Sequence, residues 1–110
     1  TAAFNLNLLL RINRELEANF DVRKFHHRAA YNKGRGCMEM HLVSREGQTV
    51  DIRALELQIS FKEGETIHTE NSYKFDIEQL GEMARATSFA LEKTLLDSAE
   101  RFSFNLFTAR

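Results

Sequence analysis

Apolar residues recur at three- and four-residue spacing at the start of the chain, through Phe4, Leu8, Leu9, Ile12 and Leu16. That period predicts a helix over residues 4–18. Leu6 and Leu10 widen the apolar stripe, so this helix is expected to be covered on more than one side. Asn19 suits its C-terminal end, because Asn tolerates the left-handed conformation found there. Asp21 is placed to cap a second, shorter helix reaching about Ala30. Lys33-Gly34-Arg35-Gly36 then reads as a turn.

From Cys37 the period is two. Met38, Met40 and Leu42 fall on one face of a predicted strand over residues 37–44, with Glu39, His41 and Val43 on the other. Glu46-Gly47 fits a hairpin turn. The next strand is expected over residues 49–61, and its apolar parity changes near Ala54, which predicts a bulge. Glu63-Gly64 makes another turn, and residues 66–70 return as a short strand. Asp76 caps a helix to about Ser88, with Ile77, Leu80, Met83 and Ala84 facing inward. Two strands follow, over residues 91–96 and 102–107, joined by a loop at 97–100; Phe102, Phe104 and Leu106 form one apolar face. The order is helix, helix, three-stranded antiparallel meander, helix, hairpin, an α+β pattern.

Composition narrows the function. A chain of 110 residues is one small domain or a piece of a larger one, and 43% apolar content is enough for a core. The formal charge is −1 with both signs interleaved, which argues against a nucleic-acid or membrane partner, since both favour a basic excess. Cys37 is the only cysteine, so no intrachain disulfide is possible and a reducing, cytoplasmic setting is expected. No apolar run is long enough to cross a bilayer, and no signal peptide is visible. The start at Thr1 reads as a cut from a longer protein. Proline is absent, so proline-rich linkers are missing, and composition marks no internal boundary.

The most informative stretch for chemistry is His68-Thr69-Glu70-Asn71-Ser72-Tyr73-Lys74. Glu70 and Ser72 point the same way if the strand continues through them, and together they suit a polar ligand edge such as an imidazole. On pattern alone, a solvated turn with a helix cap is the favoured alternative. His68-x-Glu70 resembles half of a zinc deaminase motif, but the required Pro-Cys-x-x-Cys is missing. His26, His27, His41 and His68 match no established metal-ligand spacing, so no metal site is expected. Gly34-Arg35-Gly36 precedes a strand, whereas a phosphate or dinucleotide loop follows one and opens a helix. Met40 suits a soft pocket wall, or simply a core position between Met38 and Leu42.

Several ordered blocks carry a resemblance over essentially the whole chain. They are residues 4–9 (FNLNLL), 12–16 (INREL), 19–22 (NFDV), 38–44 (MEMHLVS), 48–50 (QTV) and, most strongly, 65–75 (ETIHTENSYKF). These resemble the histidine-specific SAM-dependent methyltransferases, whose best-known members trimethylate the α-amine of histidine on the way to ergothioneine. The resemblance implies a class I, Rossmann-like methyltransferase with a separate substrate domain. Residues 1–73 would be the C-terminal part of that substrate domain. Residues 74–110 would be the last helix and hairpin of the methyltransferase sheet. It places the imidazole-reading pair on Glu70 and Ser72, a pocket-lining methionine on Met40, and further pocket positions on Thr1 and Phe4. S-adenosyl-L-methionine is implied for the whole protein, with its loop upstream of Thr1, and none is expected to bind this chain alone. Leu96 before Asp97 departs from the tryptophan expected there. Two alternatives stand beside this reading: a substrate that is a tryptophan derivative, and a stand-alone, non-catalytic domain that binds an amino acid or self-associates. The isolated chain is expected to form a homodimer through unpaired strand edges.

Overall fold

A computed structural model describes residues 1–110, which divide into two compact units, Thr1–Tyr73 and Lys74–Arg110. In the first unit, helix α1 (Ala2–Leu16) leads to strands β1 (Phe25–Asn32), β2 (Cys37–Ser44), β3 (Gln48–Ile52), β4 (Leu57–Phe61) and β5 (Thr66–Tyr73). The second holds helix α2 (Ile77–Ala86) and strands β6 (Phe89–Leu96) and β7 (Ser103–Ala109). The class is α+β, as the pattern predicts.

The short second helix expected after Asp21 does not form. Asp21 does cap, its carboxylate accepting from the Arg23 N–H at 3.0 Å, but it supports only a single 3-10 turn, Val22–Lys24. Residues 25–32 are β1, paired with β2 without interruption from Phe25↔Ser44 to Asn32↔Cys37. Ala29, Ala30 and Arg28 are good helix formers, yet that eight-pair ladder satisfies the backbone and buries Phe25 against the core; tertiary pairing overrides local propensity. The expected turn at residues 33–36 joins β1 to β2, and Gly36 takes φ 63, where a side chain would be strained.

Three further expectations change. Helix α1 ends at Leu16, and Glu17, not Asn19, takes the left-handed cap at φ 54. Asn19 instead holds β3: its side-chain oxygen accepts from the Asp51 N–H at 2.8 Å, and its own N–H donates to the Asp51 carbonyl at 3.1 Å. The single strand over residues 49–61 is two strands, because a 3-10 turn at Arg53–Leu55 and a left-handed Glu56 (φ 51) reverse the chain. β3 and β4 therefore pair with each other, Ile52 opposite Leu57, and the parity change near Ala54 marks that reversal. The three-stranded sheet is β1-β2-β5, with β3-β4 a separate hairpin, in place of the expected meander. The bulge lies in β5, where the register with β2 shifts between Met40 and His41.

The core of the first unit is Leu9, Phe20, Phe25, Leu42, Val50, Ile52 and Phe61. Phe25 meets Phe61 edge to face at 5.4 Å and Phe20 at 5.8 Å, the arrangement that ring quadrupoles favour. Asn13 fixes the chain's return from α1: its amide donates to the Phe20 carbonyl and accepts the Phe20 N–H, both at 2.8 Å.

In the second unit the cap on α2 forms as expected. Asp76 accepts from the Gln79 N–H and the Gln79 side chain accepts from the Asp76 N–H, both at 2.8 Å. This is a capping box. β6 and β7 form the predicted hairpin, turned by Asp97, whose carboxylate accepts from the N–H groups of Arg101 and Phe102. Of the residues expected to face inward from α2, Ala84 is buried and Leu80 half-buried, while Ile77 and Met83 stay exposed. So do Phe102, Phe104 and Leu106. Two strands offer too little surface to cover a helix and both hairpin faces.

The aromatic cluster sets a stability prediction. Phe25→Ala should lower unfolding free energy by about 3–5 kcal/mol, whereas Leu55→Ala, at an exposed turn, should stay within about 0.5 kcal/mol. Urea denaturation followed by circular dichroism measures both.

Candidate functional site

Strand β5 runs to Tyr73, three residues beyond its expected end. Glu70 and Ser72 therefore share one face by the period of two. Antiparallel pairing with β2 sets Met40 directly opposite Glu70 and Met38 directly opposite Ser72. Opposed residues hold their Cβ atoms about 4.5–5.5 Å apart on the same face. Three of the sequence-predicted residues, Met40, Glu70 and Ser72, thus form one patch. Leu42, two residues on from Met40, belongs to the core with Leu9 of α1, so the patch lies on the face that carries α1. Glu70 is exposed, Met40 and Ser72 half-buried. No ion pair within the chain engages the Glu70 carboxylate.

The start of α1 is tied to this patch through Asn5, which is buried. Its amide nitrogen donates to the His41 carbonyl at 3.2 Å and lies 2.9 Å from Nδ1 of His27. Its oxygen accepts from the Thr69 hydroxyl at 2.7 Å. A carbonyl only accepts, so the amide orientation is fixed and His27 Nδ1 is the acceptor. Thr69 also lies 3.1 Å from the Met40 carbonyl. It is the extra residue of the β5 bulge, since Met40 faces Glu70 and His41 faces His68. Asn5 was not singled out by sequence; an Asn among Phe4, Leu6 and Leu8 interrupts an apolar helix start, and that was the available signal.

Thr1 and Phe4 flank this anchor along the chain. Thr1 is the N-cap of α1 but its side chain makes no cap hydrogen bond, and Phe4 is 75% exposed. The fold brings their backbone to the Met40–Thr69 region and leaves both side chains in solvent.

The opposite face of β2 carries a second group that sequence spacing did not reveal. Glu39, His41 and His68 each bring a potential ligand atom within 4.8 Å of the others. Glu39 Oε1 lies 3.2 Å from His41 Nε2, and the two imidazoles stack with centroids 4.6 Å apart. The Asn32 amide, donating at 3.0 Å to the other Glu39 oxygen, and then His41 hold the Glu39 carboxyl below the usual range. His41 and His68 meet only because β5 pairs with β2, which no residue spacing encodes. A hollow of about 560 Å³ in the second unit, rimmed by Glu78, Glu82, Arg85 and Arg110, holds none of the predicted residues.

Comparison with known proteins adds the following. Residues 1–109 match the family described as histidine-specific methyltransferase, SAM-dependent. A histidine N-alpha-methyltransferase of Mycolicibacterium smegmatis is 45% identical over 87 residues, covering 78% of this chain and 27% of the relative. One of Mycobacterium tuberculosis is 40% identical over 106 residues, covering 96% of this chain and 33% of the relative. The chain thus spans about a third or less of the length of these curated relatives.

The Asn5 anchor is testable in isolation. Asn5→Ala removes one partner each from the buried His41 carbonyl and from the half-buried Thr69 hydroxyl and His27 ring, and should cost about 1–3 kcal/mol. Thr69→Val leaves Asn5 its two donor contacts and should cost less, about 0.5–1.5 kcal/mol. Equilibrium denaturation of both variants checks the order.

Proposed function

Because the chain belongs to the histidine-specific SAM-dependent methyltransferase family, we propose that it is the C-terminal part of an enzyme that methylates the α-amino group of histidine. The observation that supports this most is the cross-strand pairing of Met40 with Glu70 and Met38 with Ser72 on one face of β2-β5. An imidazole presents an N–H that the Glu70 carboxylate accepts, and such charge-assisted bonds are the stronger kind. Ser72, two residues along the same face, adds a neutral contact, and Met40 supplies an adaptable apolar wall. Thr1 and Phe4, at the start of α1, complete the substrate side.

Residues 1–73 act on this reading as the C-terminal part of the substrate domain. Residues 74–110 supply the last helix and hairpin of a class I methyltransferase sheet. The exposed apolar residues of that second unit, Ile77, Met83, Phe102, Phe104 and Leu106, fit a piece that packs on further strands. The residues present do not fit SAM. Gly34 and Gly36 lie in the turn between antiparallel β1 and β2, and Gly64 lies in the turn between β4 and β5. None of these turns opens a helix, as a cofactor loop requires. The cofactor that the family name carries belongs to the remainder of the protein, which operates where histidine and SAM meet, in the cytoplasm.

In the protein that contains this chain with its SAM-binding part, Glu70→Ala should weaken histidine binding and leave SAM binding intact. Loss of a charge-assisted partner costs about 1.5–3 kcal/mol, or roughly ten- to a hundredfold in affinity. Ser72→Ala should cost less. Calorimetric titration of both ligands measures this, and unchanged histidine affinity in Glu70→Ala overturns the pocket. The 110-residue chain alone should show no SAM affinity by calorimetry and should sediment as a homodimer through its uncovered second unit. Micromolar SAM binding, or a strict monomer at high concentration, contradicts that.

A further inference from the structure

The side chains on the reverse face of β2 have no part in the histidine pocket proposed above. Glu39 and His41 alternate with Met38 and Met40, so they project away from the patch that holds Glu70 and Ser72. β5 adds His68 opposite His41, just before the bulge. The result is one carboxylate and two imidazoles whose ligand atoms lie within 4.8 Å of each other. From these residues we propose that Glu39, His41 and His68 form a binding site for a borderline divalent cation of the zinc class.

Three features of the chemistry support this. The donor set is two imidazole nitrogens and one carboxylate oxygen, which suits zinc and its neighbours rather than magnesium or calcium. Zinc–nitrogen and zinc–oxygen bonds of about 2.0–2.2 Å put tetrahedral donors about 3.4 Å apart. Glu39 Oε1 and His41 Nε2, at 3.2 Å, already meet that spacing. Stacked rings 4.6 Å apart and 27° from parallel place the second imidazole one small side-chain adjustment away. His68 is exposed, so that adjustment gives up only its stacking on His41.

Outer contacts are in place for Glu39 and His68. The Asn32 amide orients Glu39 from behind. Nε2 of His68 lies 2.6 Å from the Asn71 side-chain oxygen, which makes that nitrogen the donor and leaves Nδ1 with a lone pair. Ligating histidines characteristically give their other N–H to an oxygen in this way. Nδ1 of His41 is buried with no hydrogen-bond partner. The ligand atom of that ring is the other nitrogen, Nε2, which faces Glu39. With three protein donors, the ion keeps a fourth position for water.

The test is a calorimetric titration of the 110-residue chain, freed of metal by chelator, with zinc chloride, repeated for His68→Ala and Glu39→Gln. The expected result is one ion per chain at micromolar affinity or tighter, with each variant weakened roughly tenfold or more. A cobalt(II) titration should give the visible absorption of a low-coordinate site in the wild type and lose it in both variants. His68 is exposed and Glu39→Gln preserves shape, so both variants should keep the wild-type far-ultraviolet circular dichroism. No stoichiometric zinc binding, or equal binding in either folded variant, overturns the site. Histidine affinity in Glu70→Ala is a separate measurement, so the pocket and this site stand or fall independently.

Discussion

Strand β2 is paired along its length on both edges, and that double pairing is the constraint on which the first unit rests. β1 runs beside it in eight-residue register, and β5 runs on its other side with one extra residue at Thr69. A central strand allows no freedom of register, because a slip by one residue would exchange its two faces. Leu42 would then leave the core and His41 would enter it. Burial of Leu42 with Leu9 and Phe25 therefore decides, at the same time, which face Met38 and Met40 occupy and which face Glu39 and His41 occupy.

The bulge at Thr69 reconciles two demands on β5. Below it, Ile67 must face the core opposite Leu42; above it, Glu70 must face the patch opposite Met40. Without an extra residue, His68 and Glu70 would share a side. A bulge leaves a residue unpaired and bends the strand, and here the spare residue is bonded by its side chain to Asn5. The same amide reaches the His41 carbonyl. One buried side chain thus links helix α1 to both strands where their register shifts, which is why the first turn of α1 arrives beside Met40 and Glu70.

The two units differ in how completely they bury themselves. The first encloses three phenylalanine rings and supplies its loop backbone with side-chain partners from Asn13 and Asn19. The second has one buried apolar residue, Ala84, beneath a well-capped helix. Its local signals are intact, since the capping box and the Asp97 turn form without help from distant residues. Its missing component is surface to pack against, which fits a chain that spans a third or less of its relatives.

Much of the fold was legible in residue order. The 3.6-residue period of Phe4 to Leu16, the alternation over Cys37 to Ser44, the Asp76 cap and the final hairpin are local patterns that the structure keeps, although β2 and α1 owe their places to pairing and core packing. The grouping of Met40 with Glu70 and Ser72 followed from resemblance to a family, not from spacing. Tertiary structure decided the rest. Residues 25–32 became a strand because β2 needed a partner, and residues 49–61 became two strands because Glu56 turned the chain back. His41 and His68, 27 positions apart in the sequence, became neighbours because β5 pairs beside β2. Sequence fixes the periodicity of each segment, since that depends on neighbours a few residues away. Which segments pair depends on shared burial across long loops, and no single stretch of sequence contains that information.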